Sequence, residues 1–438
     1  MLLLFSTPRT DNGQRMGFIR CSAVVALFFS TSLVYGQTKD LGLHEALLLS
    51  ASRSASIQAA QASVSASREA LPRAGQLPDP MIKAGIDNLP INGPDQFSLT
   101  RDFMTQRRIG VEQQWVSSDK RSARTERAQR AVEFEQAEYL TNLTKVREET
   151  AIAWVGVLFA QRSLGLFREL ETEARQDLAT TQSAFRGLKT GAAEAAQAQA
   201  NLIKAQDARR KGEQTLNSAR IALARWVAEP MESVSDTLPP LVSHVHELSQ
   251  QELGRYHPEL LRAERAWALA DADTTVATRE RRPDWTFEAA YSQRGSQYSN
   301  MVSVGVSIPF PVNTSERQDR DIAEKSALAT KARLQYEDAV RELQAEIDEQ
   351  SATLESLNER IAELKARLLP FASQQVDLAT AAYRAGKGSL AEVFSARKAA
   401  LETRLQILDV EKEAALTWAK LEYHIIPHDH VSASRSAP

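Results

Sequence analysis

Cysteine is almost absent from this 438-residue chain, which holds one, Cys21. That residue lies ahead of an amino-terminal apolar run, so the chain beyond the run has no thiol, which excludes disulfides and thiolate metal sites there. A lipid-modified cysteine would follow such a run rather than precede it. Glycine (18) and proline (16) are scarce and gather in a few places. Neither sign of charge dominates: 53 Lys and Arg stand against 56 Asp and Glu, a net charge of −3 that points to no nucleic-acid partner. There is no nucleophile–base pairing, phosphate-binding glycine loop or metal-ligand cluster. The reading is therefore of a non-enzyme without cofactor or resident metal site. What the chain does hold is Ala, Leu, Glu, Gln and Arg, with 25% charged residues, the profile of long helices.

The first 36 residues read as a signal peptide. Arg15 and Arg20 precede the apolar run Ala23–Val34, and small residues near Gly36 offer a cleavage site before Gln37. A run of about 12 residues is too short to span a bilayer as a helix. Met16 would open a complete signal of its own. At the other end, His424, His428, Asp429 and His430 close the chain, but their spacing fits no standard closed metal site.

Between these ends the sequence states one pattern twice. Leu43–Ala74 reads as helix, Met81–Leu89 and Gln96–Trp115 as strands around the turn Pro90–Pro94, and Ser117–Ala184 as one very long helix. A glycine-broken turn near Phe185–Thr190 follows, and Ala192–Ala228 returns as helix. The proline-bearing stretch 229–255 reads as a linker. The order then restarts: a helix from His257 to Arg282, alternating strands at Trp285–Tyr291 and Met301–Phe310, a helical run Glu316–Arg384, a turn and a return helix. Three landmarks keep near-constant offsets. Pro283 follows Pro80 by 203 positions, Val304-Gly-Val follows Ile109-Gly-Val by 195, and Tyr383 follows Phe185 by 198. The expected organisation is a first repeat over 37–228, a linker or equatorial segment over 229–255, a second repeat over 256–426 and a tail over 427–438.

In the second long run Val340, Leu343, Ile347, Gln350, Leu354, Leu357, Ile361, Leu364 and Leu368 step by three and four, the seam of a left-handed coiled coil. Pro370 predicts a kink just beyond it. The opening and return helices of the first half together match the length of its long helix, roughly 100 Å at 1.5 Å per residue, so they can flank it end to end. The strands have the length that crosses an outer membrane when tilted, about ten residues. Val302, Val304, Val306 and Ile308 would face lipid, with Ser303, Gly305 and Ser307 toward a wet lumen. Trp115, Trp285, Tyr291 and Phe310 are candidates for an aromatic girdle. Four strands cannot close a barrel, and an open edge cannot sit in hydrocarbon. Three chains would supply 12 strands.

The whole chain past the leader resembles the TolC-like outer-membrane factor family through this doubled order, and most specifically through Tyr-x-x-Gly-Lys-x-Ser-x-x-Glu-Val at Tyr383–Val393. Leu77–Pro80, Asp87–Pro90, Arg101–Met104 and Arg107–Glu112 resemble its heavy-metal branch, whose systems export cobalt, zinc and cadmium or copper and silver. The resemblance implies a mainly helical coiled-coil barrel with four membrane strands per chain, a homotrimer with a 12-stranded barrel in outer-membrane lipid, and a tunnel in the periplasm. It implies two partners, a periplasmic adaptor and a proton-driven inner-membrane pump of the RND type. By position, Gly187, Leu188, Lys189, Gly386, Lys387, Gly388 and Ser389 would form the tips that dock the adaptor. Glu392, with Glu194 as its counterpart, would line the aperture constriction; Ser395 stands where some members carry a second acid. The competing reading of Glu392 is a solvated glutamate favoured by the helix dipole. Two other functions fit the same features less fully: a duct for drugs or type I protein secretion, and a periplasmic adaptor, which would carry one hairpin rather than two.

Overall fold

The computed structural model describes residues 40–188 and 190–427. The leader, Lys189 and the tail with His428, Asp429 and His430 lie outside the described residues.

The chain forms α1 (Leu43–Arg53), α2 (Ala55–Ala74), β1 (Met81–Asp87), β2 (Gln106–Trp115), α3 (Ser118–Arg186), α4 (Ala192–Val227), α5 (Gln250–Tyr256), α6 (Pro258–Glu280), β3 (Trp285–Gln293), β4 (Met301–Ser307), α7 (Gln318–Glu363), α8 (Leu369–Arg384) and α9 (Leu390–Tyr423). Local chemistry sets most boundaries. Ser117 caps α3 by accepting the Lys120 N–H at 3.4 Å, and Pro258 opens α6 at a position where its missing N–H has no helical partner to lose. The opening helix is not continuous, because Ser54 leaves helical geometry and its hydroxyl caps α2 on the Ile57 N–H.

The four strands make one antiparallel sheet in the order β1-β2-β3-β4. Residues 96–105, expected as strand, form loop instead. The Asp102 carboxylate accepts the Met104 and Thr105 N–H groups at 2.8 and 3.0 Å, a side-chain turn that competes with strand pairing. β4 also ends early: Ile308 lies beyond it, since Pro309 and Pro311 carry no N–H for a ladder. Ile308 remains exposed, but it is not a strand residue.

Each long helix is flanked by two shorter ones meeting near its middle. α3 packs against α1 and α2 toward the sheet and against α4 toward the tip. The ends of α1 and α4 meet where Arg53 donates to the Val227 carbonyl at 3.1 Å and pairs with Glu229 at 2.7 Å. In the second half α6 and α9 flank the run made by α7 and α8, and they meet where the Ile426 N–H donates to the Tyr256 carbonyl at 2.8 Å. The main core lies at this level, around Trp154, Val155, Leu158 and Phe159 of α3 with Leu223, Ala414 and Trp418. The apolar middle of α3 is thus a core helix. The stretch 229–255 is strapped to it: Val234 is buried and bridges Leu41, and the Trp154 indole donates to the Leu41 carbonyl at 2.8 Å.

The coiled-coil seam holds where expected, with Leu343, Ile347, Leu354 and Leu357 buried. The run itself is not uniform. Leu364–Leu368 forms a π turn, in which the Leu369 N–H reaches back five residues to the Leu364 carbonyl. Pro370 follows immediately, so the expected disturbance at this proline takes the form of a widened turn.

Candidate functional site: the tips and the sheet

The two hairpin tips solve the same backbone problem with different residues. After α8, Gly386 adopts a left-handed conformation (φ 71°); its N–H donates to the Tyr383 carbonyl at 3.0 Å and the Lys387 N–H to the Ala382 carbonyl at 2.9 Å, a Schellman stop. After α3, the residue 198 positions earlier is Leu188. It takes the same left-handed geometry (φ 57°), donates to the Phe185 carbonyl at 3.0 Å and is 94% exposed. Gly187, which the sequence offers as the flexible position, is ordinary (φ −84°). A leucine held left-handed and out in water is a strained and desolvatable knob, the kind of outlier that clusters at binding surfaces. Gly388 is needed for another reason: a Cβ there would come within 3.1 Å of both the Ala382 methyl and the Glu392 carboxylate.

Glu392 sits in the first turn of α9 and folds back on it. Its carboxylate accepts the Ser389 N–H at 3.2 Å while its own N–H donates to the Ser389 hydroxyl at 3.3 Å, a complete capping box. Glu194 holds the matching place in α4 and accepts from the Thr190 hydroxyl. The two differ in outlook. Glu194 lines a groove of about 930 Å³ between the α3–α4 and α8–α9 hairpins, whereas Glu392 is not among its lining residues. Ser389 and Ser395 line this groove too, with Tyr383 and Phe394 as its aromatic walls. Burial here pushes the Asp177 carboxyl above its ordinary value, against the hydrogen bond it accepts from Thr181 at 3.2 Å.

At the opposite end of the long helices the sheet sorts its side chains by face. Ile109 lies opposite Tyr291, Tyr291 opposite Val302, Ala289 opposite Val304 and Phe287 opposite Val306. Val302, Val304, Val306, Ile82, Ile109, Trp115 and Trp285 are all exposed, an apolar face that none of the described residues covers. The other face carries an ion-pair lattice that periodicity alone did not reveal. Glu112 and Glu288 face each other directly across β2 and β3. Lys83 bonds Glu112 and lies 3.7 Å from Glu288, while Arg108 bonds Glu288 and lies 3.8 Å from Asp87. Apolar outside and charged inside is the division a membrane barrel strand requires.

Where sheet gives way to helix, Lys120 is buried (3% exposed) and reaches Asp284 at 2.7 Å and Glu280 at 3.4 Å. Arg124 grips Glu280 with two nitrogens, at 2.8 and 2.5 Å. This cluster ties the start of α3 to the end of α6. Among the described residues no three His, Cys, Asp or Glu side chains converge to hold a metal ion. His424 stacks on His257, with ring centroids 4.7 Å apart, and keeps part of its ring in contact with solvent.

Residues 248–423 match the family described as outer membrane efflux protein. The cobalt-zinc-cadmium resistance protein CzcC of Cupriavidus metallidurans is 26% identical over 376 residues, covering 84% of this chain and 86% of that protein. The solved CusC channel superposes with a TM-score of 0.71 at 16% identity, over 87% of this chain and 91% of that one. The Campylobacter jejuni CmeC outer membrane channel does so with 0.73 at 13% identity, over 90% and 88%. At such identities the structural likeness is one of fold. Members of this family and these relatives are channel proteins rather than enzymes. A sheet apolar on one face and charged on the other, helices of roughly 100 Å beneath it and these matches lead to one conclusion: the chain is an efflux duct of the outer membrane with a TolC-like fold, its helices forming a tunnel in the periplasm and residues 248–423 carrying the outer membrane efflux protein match.

Proposed function

We propose that the duct exports heavy-metal cations as a homotrimer, joined through a periplasmic adaptor to a proton-driven inner-membrane pump of the RND type. The observation that carries the cargo is the similarity to a cobalt-zinc-cadmium resistance protein over most of both chains. Trimerisation is supported by the sheet. Its edges β1 and β4 have no strand partner among the described residues and run antiparallel to each other, so β4 of one copy can continue into β1 of the next. Three copies close 12 strands with the apolar faces toward lipid and the ion-pair lattices toward the lumen.

At the other end, Leu188, Gly386, Lys387, Gly388 and Ser389, with Gly187 and Lys189 beside them, form the adaptor-docking tips. The left-handed, water-exposed Leu188 is the strongest support for that assignment. Glu392 and Glu194, just above the tips, form the aperture constriction, where three copies of a carboxylate would favour cations over anions. The chain is a duplicate of one unit: 37–228 and 256–426 are its repeats, joined by the segment 229–255. Deleting the gene in a strain without another such duct tests the cargo. Tolerance to cobalt, zinc and cadmium should fall and return when the chain is supplied again. Unchanged tolerance to those metals and to copper and silver, with lost tolerance to organic toxicants, would assign the duct to drugs instead.

A further inference from the structure

The meeting points of the flanking helices are matched in position and mismatched in chemistry. In the first half the joint is formed by Ser54, the N-cap of α2, and Ala228, which ends α4. The residues 203 and 196 positions later are His257, the N-cap of α6, and His424, which ends α9. The first joint is clasped by the permanently charged Arg53; the second has two imidazoles stacked at 4.7 Å and 29°. His257 is 2% exposed, and its Nδ1 is buried without a hydrogen-bond partner among the described residues. The groups facing this pair come from every packed element. Glu148 of α3 places a carboxylate oxygen 3.7 Å from His424 Nδ1. Glu149 of α3, Lys420 of α9 and Glu346 of α7 act on Glu148 in turn, and Arg147 lies over the Tyr423 ring. The segment after His424 seals the joint, with Ile426 buried among Ile57, Leu140, Leu143 and Val146. Stacked rings do not aim their lone pairs at a common point, so the arrangement suits a proton rather than a metal ion.

We propose that the His257–His424 joint is a proton-released clasp: it holds the carboxy-terminal segment against α5 and α6 at neutral pH and lets go as the periplasm acidifies. Burial first, and then the neighbouring His424, lower the His257 pKa from 6.5 to about 3. An imidazole freed by opening the joint regains its ordinary affinity for protons. The open joint therefore binds more protons than the closed one, so the closed form loses ground as pH falls through about 6.5. The open-to-closed ratio should rise roughly tenfold per pH unit below that point, about 30-fold by pH 5. Glu148 works in the opposite sense. Burial raises its carboxyl above the ordinary value despite His424, so the closed joint takes up its proton more readily and the response is blunted at the acid end.

Amide hydrogen exchange of the full chain in detergent micelles, corrected for intrinsic rates, tests the clasp. Exchange at residues 256–261 and 424–426 should rise about 30-fold from pH 7.5 to 5, while α2 at residues 62–70, away from the cluster that holds Ile426, stays unchanged. Replacing His257 by the residue of the first joint, His257→Ser, should remove the pH dependence whatever it does to the absolute rate. Glu148→Gln should keep it. Exchange in the wild type that is flat with pH, or a pH response that survives His257→Ser, would overturn the proposal. A response shared equally by residues 62–70 of α2 would do so as well, because it would report general acid loosening. The wild-type measurement decides even if the variant folds poorly.

Discussion

The most exacting test of the architecture is the buried cation at the boundary between sheet and tunnel. Lys120 is the third residue of α3, where the helix dipole disfavours positive charge. It is nonetheless 3% exposed, with Asp284 at 2.7 Å and Glu280 at 3.4 Å. Lys120→Ala strands the Asp284 carboxylate, itself only 14% exposed, in a place built for a pair. Breaking a buried pair from one side typically destabilises by about 3–5 kcal/mol, and the partial exposure of Glu280 argues for the lower end. With an unfolding entropy of about 2.1 cal/mol/K per residue, about 3 kcal/mol over a chain of this size lowers Tm by roughly 4 °C. Asp284→Asn should cost less. The double variant Lys120→Ala, Asp284→Asn should recover part of the loss, since both charges leave together. Thermal melting of the four proteins in one detergent completes the cycle. A coupling below about 0.5 kcal/mol, or a Lys120→Ala effect that vanishes in 0.5 M salt as an exposed pair's would, would show that the cluster does not join the halves.

Two further substitutions separate roles that coincide at the tips. Glu392→Gln keeps an acceptor for the Ser389 N–H but removes the charge, whereas Glu392→Ala removes both and should cost the tip about 1 kcal/mol of capping. If Glu392 lines the constriction, Gln alone will lower the cation preference of single channels; if it only caps, Gln will be silent and Ala will loosen the tip. Leu188→Gly relieves the left-handed backbone and removes the exposed side chain. Tm should stay within about 1 °C, since relief of strain offsets added chain entropy. Affinity for the adaptor should drop about 30-fold, the equivalent of burying one leucine, about 2 kcal/mol; unchanged affinity would exclude Leu188 from the docking surface.

The legible parts of this molecule are those whose signal is local. Period-two runs, a seam stepping by three and four, and breakers at Pro80, Pro283 and the tips all report on neighbours a few residues apart, and the corresponding elements are present. Contacts formed by register across the halves left no such trace. That Glu112 faces Glu288, with Lys83 between the carboxylates and Arg108 bonded to Glu288, depends on β2 pairing with β3 from the other half of the chain. The same holds for Lys120 with Asp284 and for His257 with His424. At the tips, Gly187 stands out by its place in the family pattern, yet the left-handed residue of the first tip is Leu188, and only the second tip has a glycine, Gly386, in that conformation. Asp102 shows the converse error, a locally strand-compatible stretch diverted by one carboxylate.

The π turn explains why the seam stops where it does. Continued at the heptad step beyond Leu368, the next buried position would be Phe371, yet Phe371 is 58% exposed and Ala372 is 6% exposed. The apolar stripe has slipped by one residue. A one-residue slip in an α-helix rotates every later side chain by about 100°, and a single π turn absorbs one extra residue without breaking the helix. The widened turn at Leu364–Leu368 therefore returns α8 to the face that α7 presents, so that the tip meets α9 in register. Pro370 suits this place, because a turn with one displaced hydrogen bond has less need of its missing N–H. No such turn interrupts α3. Between the strands and the tips the offset separating the two halves grows from 195 to 198 positions. The second half thus accommodates added length partly inside its long helix, while both tips place a left-handed residue at matched positions, Leu188 and Gly386.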